Sequence, residues 1–254
     1  KDGENSITRR RKRPGTLGIC AVIKHKYGID AVPHVLCKGF TREESEDFLI
    51  DMHYLGIENV LAIQGDDHGY QKPVLEGRSI NIYAKDLVQQ ITTMNQGKYL
   101  EDICADPTHF CIGVAGYPEK HVSAPDVETD IRYLKEKVDT GAQYIVTQMF
   151  FDNNNYFNFV GRCRAAGITV PIIPGLKIIT KQNQLVNIPN SFHVEIPLPL
   201  AEEVRATKPE HVPYVGIEWA AKQVKELRNA NIPLIHFYVM QSADTIEKLM
   251  VRLK

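Results

Sequence analysis

Six apolar runs, each followed by a stretch with helical periodicity, constrain this chain more than any other feature. They cover residues 31–37, 59–65, 109–117, 144–150, 170–176 and 234–240. The runs are rich in β-branched and aromatic residues and do not alternate with polar ones, the mark of strands covered on both faces. Strand and helix in strict alternation build a parallel sheet with right-handed crossovers.

The intervening helices carry their own signals. Thr41-Arg42-Glu43-Glu44 is a capping box, followed by Phe48, Leu49, Met52 and Leu55 on one face, and Gly56 suits a left-handed stop. Val127, Ile131, Leu134 and Val138 repeat at four, three and four, a single stripe closed by Gly141. Tyr156, Phe159, Val160 and Cys163 form another, with Asp152 as N-cap and Gly167 as stop. Residues 14–27 read as a helix ending at Gly28. No Gly-x-Gly-x-x-Gly follows any strand, which weighs against a dinucleotide-binding open sheet. A TIM-type (β/α)8 barrel is the better fit, but closure needs eight strands and six are visible. The helix at 14–27 has no strand before it, so the expectation is one barrel domain over 1–254 that lacks its first strand, first helix and second strand. The stretch 188–213 is longer than a usual barrel connection and is expected to carry an extra helix.

In such a barrel the C-terminal strand ends converge, and there active sites are built. The ends deliver His34, then Gln64-Gly65-Asp66-Asp67, then Tyr117, Glu119 and His121, then Thr147-Gln148, then Gly175 with Lys177, and last His236 and Tyr238. Taken alone, His34 reads as a hydrogen-bonded core histidine. Asp66 differs, because a Gly-Asp at a strand end exposes a carboxylate with no helix to cap. Gln148 sits in an otherwise apolar strand, and a buried amide must find partners. A flat, uncharged donor–acceptor suits a heterocyclic ligand.

The bulk numbers exclude several classes. The chain is 43% hydrophobic and 24% charged, with a net charge of −1, so no global basic field collects nucleic acid or anionic membrane. The exception is Arg9-Arg10-Arg11-Lys12-Arg13, a nuclear address, a phosphate patch or, the favoured reading, a solvated arm. No apolar run approaches the roughly 20 residues that span a bilayer. The five cysteines fit no metal spacing, and Cys20, Cys111 and Cys163 look like small core residues. That usage suggests a reducing, cytoplasmic setting. No Ser/His/Asp elbow, Walker loop or zinc motif is present, and no metal is expected.

Five ordered blocks then resemble the methylenetetrahydrofolate reductase family in its bacterial, single-domain form. They are Gly113-Val114-Ala115-Gly116-Tyr117-Pro118-Glu119-Lys120-His121, then Lys137-Val138-Asp139 with Gly141-Ala142, then the block from Ile145 through Gln148 to Asp152, then Pro171-Ile172-Ile173-Pro174-Gly175, and His236-Phe237-Tyr238. The resemblance covers essentially the whole chain. It implies an FAD-carrying barrel that reduces 5,10-methylenetetrahydrofolate to 5-methyltetrahydrofolate with NAD(P)H, an oxidoreductase acting on a CH–NH donor. It also implies that His34, Gly65, Asp66, Ala84, Tyr117, His121, Asp130 and Lys137 surround the flavin. His121 and Lys137 would then lie near the diphosphate, and Asp130 near a ribose hydroxyl. Asp66 and Gln148 would be the catalytic groups among those visible, and would contact substrate together with Gln184. The resemblance is compatible with a homo-oligomer and does not choose NADH over NADPH.

The departures carry information too. The family's general acid is a glutamate on a first strand that has no counterpart in these 254 residues. Gln64 stands where the family has Arg, and Tyr133 and Glu136 stand where the best-known bacterial members have Asn and Arg. Weaker or altered FAD binding is therefore expected, and a non-catalytic flavin- or folate-binding remnant is the alternative function.

Overall fold

The structure, a computed structural model, describes residues 14–65, 74, 76–103, 105–239 and 242–254. Asp66, Cys104, Met240 and the basic run at 9–13 lie outside these residues. The elements in chain order are α1 (Thr16–Tyr27), β1 (His34–Leu36), α2 (Arg42–Tyr54), β2 (Asn59–Ile63), α3 (Ala84–Met94), β3 (Cys111–Gly116), α4 (Val127–Thr140), β4 (Tyr144–Met149), α5 (Asn153–Ala165), β5 (Ile172–Leu176), α6 (Gln184–Phe192), α7 (Leu198–Ala206), α8 (Val212–Asn229), β6 (His236–Phe237) and α9 (Asp244–Arg252).

The six strands pair in sequence order, all parallel, as a curled half-barrel. Among the described residues β1 and β6 each pair on one side only, so the sheet is open between them, in keeping with six strands where closure needs eight. The strands are shorter than their apolar runs, most of all β6, which is two residues long. An outermost parallel strand has a ladder partner on one side only, so hydrogen bonding stops earlier than hydrophobicity does.

Period-2 alternation gives the sheet two different faces. Val60, Ala62, Ile112, Val114, Ile145, Ile172 and Leu176 face the helices and share one core with Leu49, Met52, Leu87, Ile91, Leu134 and Phe159. Leu61, Gly113, Ala115, Val146 and Gln148 alternate with them on the concave face. Gly113 is there because Tyr144 crosses it. The Tyr144 hydroxyl donates to the Val60 carbonyl at 2.9 Å, and a Cβ at Gly113 would run into the Tyr144 ring.

The helix signals hold at several termini. Thr41 accepts from the Glu44 amide at 3.1 Å while the Glu44 carboxylate accepts from the Thr41 amide at 2.9 Å, and Asp152 caps α5 through the Asn154 amide at 2.9 Å. Gly28 closes α1 in the left-handed region, whereas Gly141 closes α4 at φ 135°, outside it. Between β5 and α8 the described residues hold two α-helices, α6 and α7, rather than one extra helix. They pack Ile188, Val194, Leu200 and Val204 onto Met149, Phe151 and Ile179 in a second apolar cluster at the C-terminal mouth of the sheet. Cys20, Cys37 and Cys163 are buried free thiols, while Cys111 is only half-buried.

Candidate active site

The loop after β3 turns directly into α4, so its polar side chains lie against that helix. Tyr117 meets the His121 ring edge-on with centroids 4.5 Å apart. The His121 amide donates to Asp130 Oδ2 at 2.9 Å, and the His121 ring contacts Ser123 Oγ at 2.6 Å. One turn-pair further along α4, Lys137 Nζ donates to the Ala115 carbonyl at 2.8 Å. Desolvation pulls the Lys137 ammonium down to about 8, with Asp130 partly restoring it. Burial, opposed by Asp130, also lowers the His121 imidazole, and Lys137, Lys120 and His193 lower it further. Tyr117, His121, Asp130 and Lys137 therefore form one cluster. Asp130 Oδ2 is committed to ordering the loop, so any ligand shares this carboxylate with the protein.

The cluster fits a phosphate-bearing cofactor. An ammonium desolvated far enough to lose affinity for its proton, with a neutral carbonyl as its hydrogen-bond partner, gains most from an anion. Ala84 opens α3 beside this region, and Lys85 of the same turn bonds Glu136 of α4 at 2.9 Å. Glu136 is thus paired with a cation of α3.

A second group occupies the concave face. Gln148 turns its carbonyl oxygen back to the Met149 amide at 2.9 Å, at the register shift between β4 and β5. It lines a small cavity with Tyr117, Glu119, Phe192 and His193. The Tyr238 hydroxyl donates to the Thr147 carbonyl at 2.8 Å, and its ring sits 4.7 Å from that of His236. Burial raises the Tyr238 phenol to about 12, with a contribution from Tyr117. His236 is lowered by burial and then by His34, which puts the two outermost strands within electrostatic reach. His34 itself is open to solvent rather than a core histidine, although the concave wall around it lowers its imidazole by desolvation.

The remaining candidates stand apart. Gly65 leaves β2 with φ 88° and packs against Leu36 and Lys38, and Asp66 after it lies outside the described residues. Gln184 is the first residue of α6, and its carbonyl oxygen accepts from the Thr180 and Lys181 amides at 2.7 and 3.0 Å. Its acceptor is spent on the helix start, leaving the amide nitrogen for a ligand. Glu119 turns toward α5 and the segment after α6. It accepts from Asn155 Nδ2 at 3.0 Å and from the Glu195 amide at 2.6 Å. Sequence reading missed Phe192 and His193, because Pro189 inside α6 masks that helix.

The profile described as methylenetetrahydrofolate reductase matches residues 3–254. The chain belongs to the methylenetetrahydrofolate reductase family. It is 33% identical over 245 residues to the 5,10-methylenetetrahydrofolate reductase of Escherichia coli, covering 95% of this chain and 75% of that protein. It is 34% identical over 245 residues to methylenetetrahydrofolate reductase 1 of Schizosaccharomyces pombe, covering 94% of this chain and 38% of the relative. This chain thus spans well under half the length of that yeast protein. Among solved structures, an uncharacterized protein from Clostridium thermocellum that binds two copies of 5-methyl-5,6,7,8-tetrahydrofolic acid aligns with a TM-score of 0.54 at 13% identity. That alignment covers 92% of this chain and 76% of the other, and at such identity it speaks to the fold. Among the described residues no helix is long and apolar enough to cross a membrane.

Proposed function

We propose that this chain carries the methylenetetrahydrofolate reductase reaction, the reduction of 5,10-methylenetetrahydrofolate to 5-methyltetrahydrofolate, with FAD as cofactor and NAD(P)H as hydride donor. The observation that carries this reading is the Tyr117–His121–Asp130–Lys137 cluster, a polar cradle with a desolvated cation beside the cavity lined by Gln148. Family membership supports it. A flavin, when bound, supplies the relay that passes hydride from nicotinamide to the folate.

The residues divide the remaining work. Lys137 holds negative charge at the α4 end of the site, and Asp130 keeps the His121 loop in place around it. Tyr117 is a wall shared by the cradle and the Gln148 cavity. Gln148 offers its amide nitrogen to the planar ligand above it, since its oxygen is taken by Met149. Asp66 enters through the family resemblance, as negative charge beside the pterin that tunes the cofactor. The four described cysteines are free thiols, consistent with a reducing cytoplasm.

The second reading, flavin or folate binding without turnover, draws on one observation. Glu119, a carboxylate lining the Gln148 cavity, is tied at both oxygens to protein donors and is not free to deliver a proton. A positioned acid is worth roughly 10²- to 10⁴-fold. Incubating the chain with FAD, NAD(P)H and 5,10-methylenetetrahydrofolate decides between the two. Formation of 5-methyltetrahydrofolate supports the first reading, and flavin binding without product supports the second.

A further inference from the structure

Two backbone features frame the Gln148 cavity. Lys120 has φ 79° and His193 has φ 53°, left-handed conformations that cost energy in any residue with a Cβ. Both sit in the cavity wall, Lys120 on the loop leaving β3 and His193 at the exit of α6. Such strain persists only where neighbouring structure holds it, and it clusters where ligands are clamped. One side chain joins the two turns. Glu119, immediately before Lys120, accepts the amide of Glu195, two residues after His193, and ties both to α5 through Asn155. Between these residues Val194 is buried in the apolar cluster beneath α6 and α7. His193 is also near enough to His121 to lower its imidazole. Residues 192–195 therefore form a strap running from the Gln148 cavity toward the cofactor cradle.

We propose that Glu119 is a positioning residue: its carboxylate fastens this strap to the β3 exit loop and so fixes the height of the slot above Gln148, where the planar pterin or nicotinamide ring lies. This rests on the function proposed above. It explains why a half-buried carboxylate, whose desolvation raises its pKa, is retained beside the cavity without being free for chemistry. It also separates two effects that a loose loop would merge. Loosening the strap changes the ligand over Gln148 and leaves the Lys137 side of the cradle intact, because the Glu119 carboxylate is spent on Asn155 Nδ2 and the Glu195 amide, whereas Lys137 is held by the Ala115 carbonyl.

The test uses the FAD-loaded protein, with 5-methyltetrahydrofolate as the probe ligand. Glu119→Ala is expected to weaken folate binding by about tenfold, the scale of losing one hydrogen bond to a charged group, while the FAD content stays that of the parent. Amide hydrogen exchange across residues 192–196 is expected to quicken in the same variant, and exchange in α4 to stay unchanged. Glu119→Gln is expected to recover most of the affinity, because its oxygen can still serve the Glu195 amide and Asn155 can turn its own oxygen toward the new amide. If Glu119→Ala does not fold, Asn155→Ala removes half of the clamp and is measured in the same way. Folate affinity equal to the parent's, or loss of FAD together with folate, would overturn the proposal. If the parent protein binds no folate, the function reading fails separately, and unchanged exchange at 192–196 in Glu119→Ala would then overturn the clamp itself.

Discussion

At the scale of single residues, Lys137 combines a structural cost with a binding gain. Its folded pKa, near 8, lies below the ordinary value of 10.5, so the folded chain holds fewer protons than the unfolded one between those two values. Stability from this group therefore rises with pH across that window and is at its lowest below about 8. Anion binding has the opposite sign. A diphosphate beside Lys137 restores the proton, so FAD affinity should be flat below about 8 and fall by up to tenfold per pH unit above it. Burial lowers the His121 imidazole beside Lys137, so that ring is neutral across the alkaline limb. FAD titrations from neutral to alkaline pH read this directly, and Lys137→Met should give a flat alkaline limb. Gly113 gives a stability counterpart. Gly113→Ala pushes a methyl into the Tyr144 ring and loosens its bond to Val60, so a loss of about 1–3 kcal/mol is expected in denaturant unfolding.

At the scale of elements, α2 shows how far local chemistry fixes a boundary. Both arms of the Thr41–Glu44 box are made, and Ser45 Oγ adds a bond to the Thr41 carbonyl at 2.9 Å. Thr41→Ala should therefore cost about 1 kcal/mol in thermal or denaturant unfolding, with the fold retained. Such caps, the apolar stripes of α4 and α5 and the six apolar runs were legible because each depends on neighbours close in sequence. The two-helix segment after β5 was not, because Pro189 looks like a stop and α6 is held by the tertiary cluster around Ile188 and Val194. The bonds of Glu119 were not legible, because its partners, Asn155 and Glu195, are 36 and 76 residues away. Gln184 likewise serves the start of its own helix through its oxygen, beside the amide nitrogen left for a ligand. No spacing rule reveals such pairings.

At the scale of the molecule, a parallel half-barrel explains why the cradle and the Gln148 cavity are adjacent. Parallel pairing brings every strand out at the same mouth, and the order β1 to β6 puts the β3 and β4 exits side by side. The same curl brings His34 and His236, on the two outermost strands, within range of each other. The central claim is that this mouth is a flavin site whose anion-holding end is Lys137. Its most direct test is FAD uptake, followed by the visible flavin band after dialysis, for the parent chain and Lys137→Ala side by side. The account predicts about one FAD per chain in the parent and an affinity weaker by about 2 kcal/mol, roughly 30-fold, in the variant. A parent chain that stays colourless at high micromolar FAD, or a variant that binds as tightly as the parent, would contradict it.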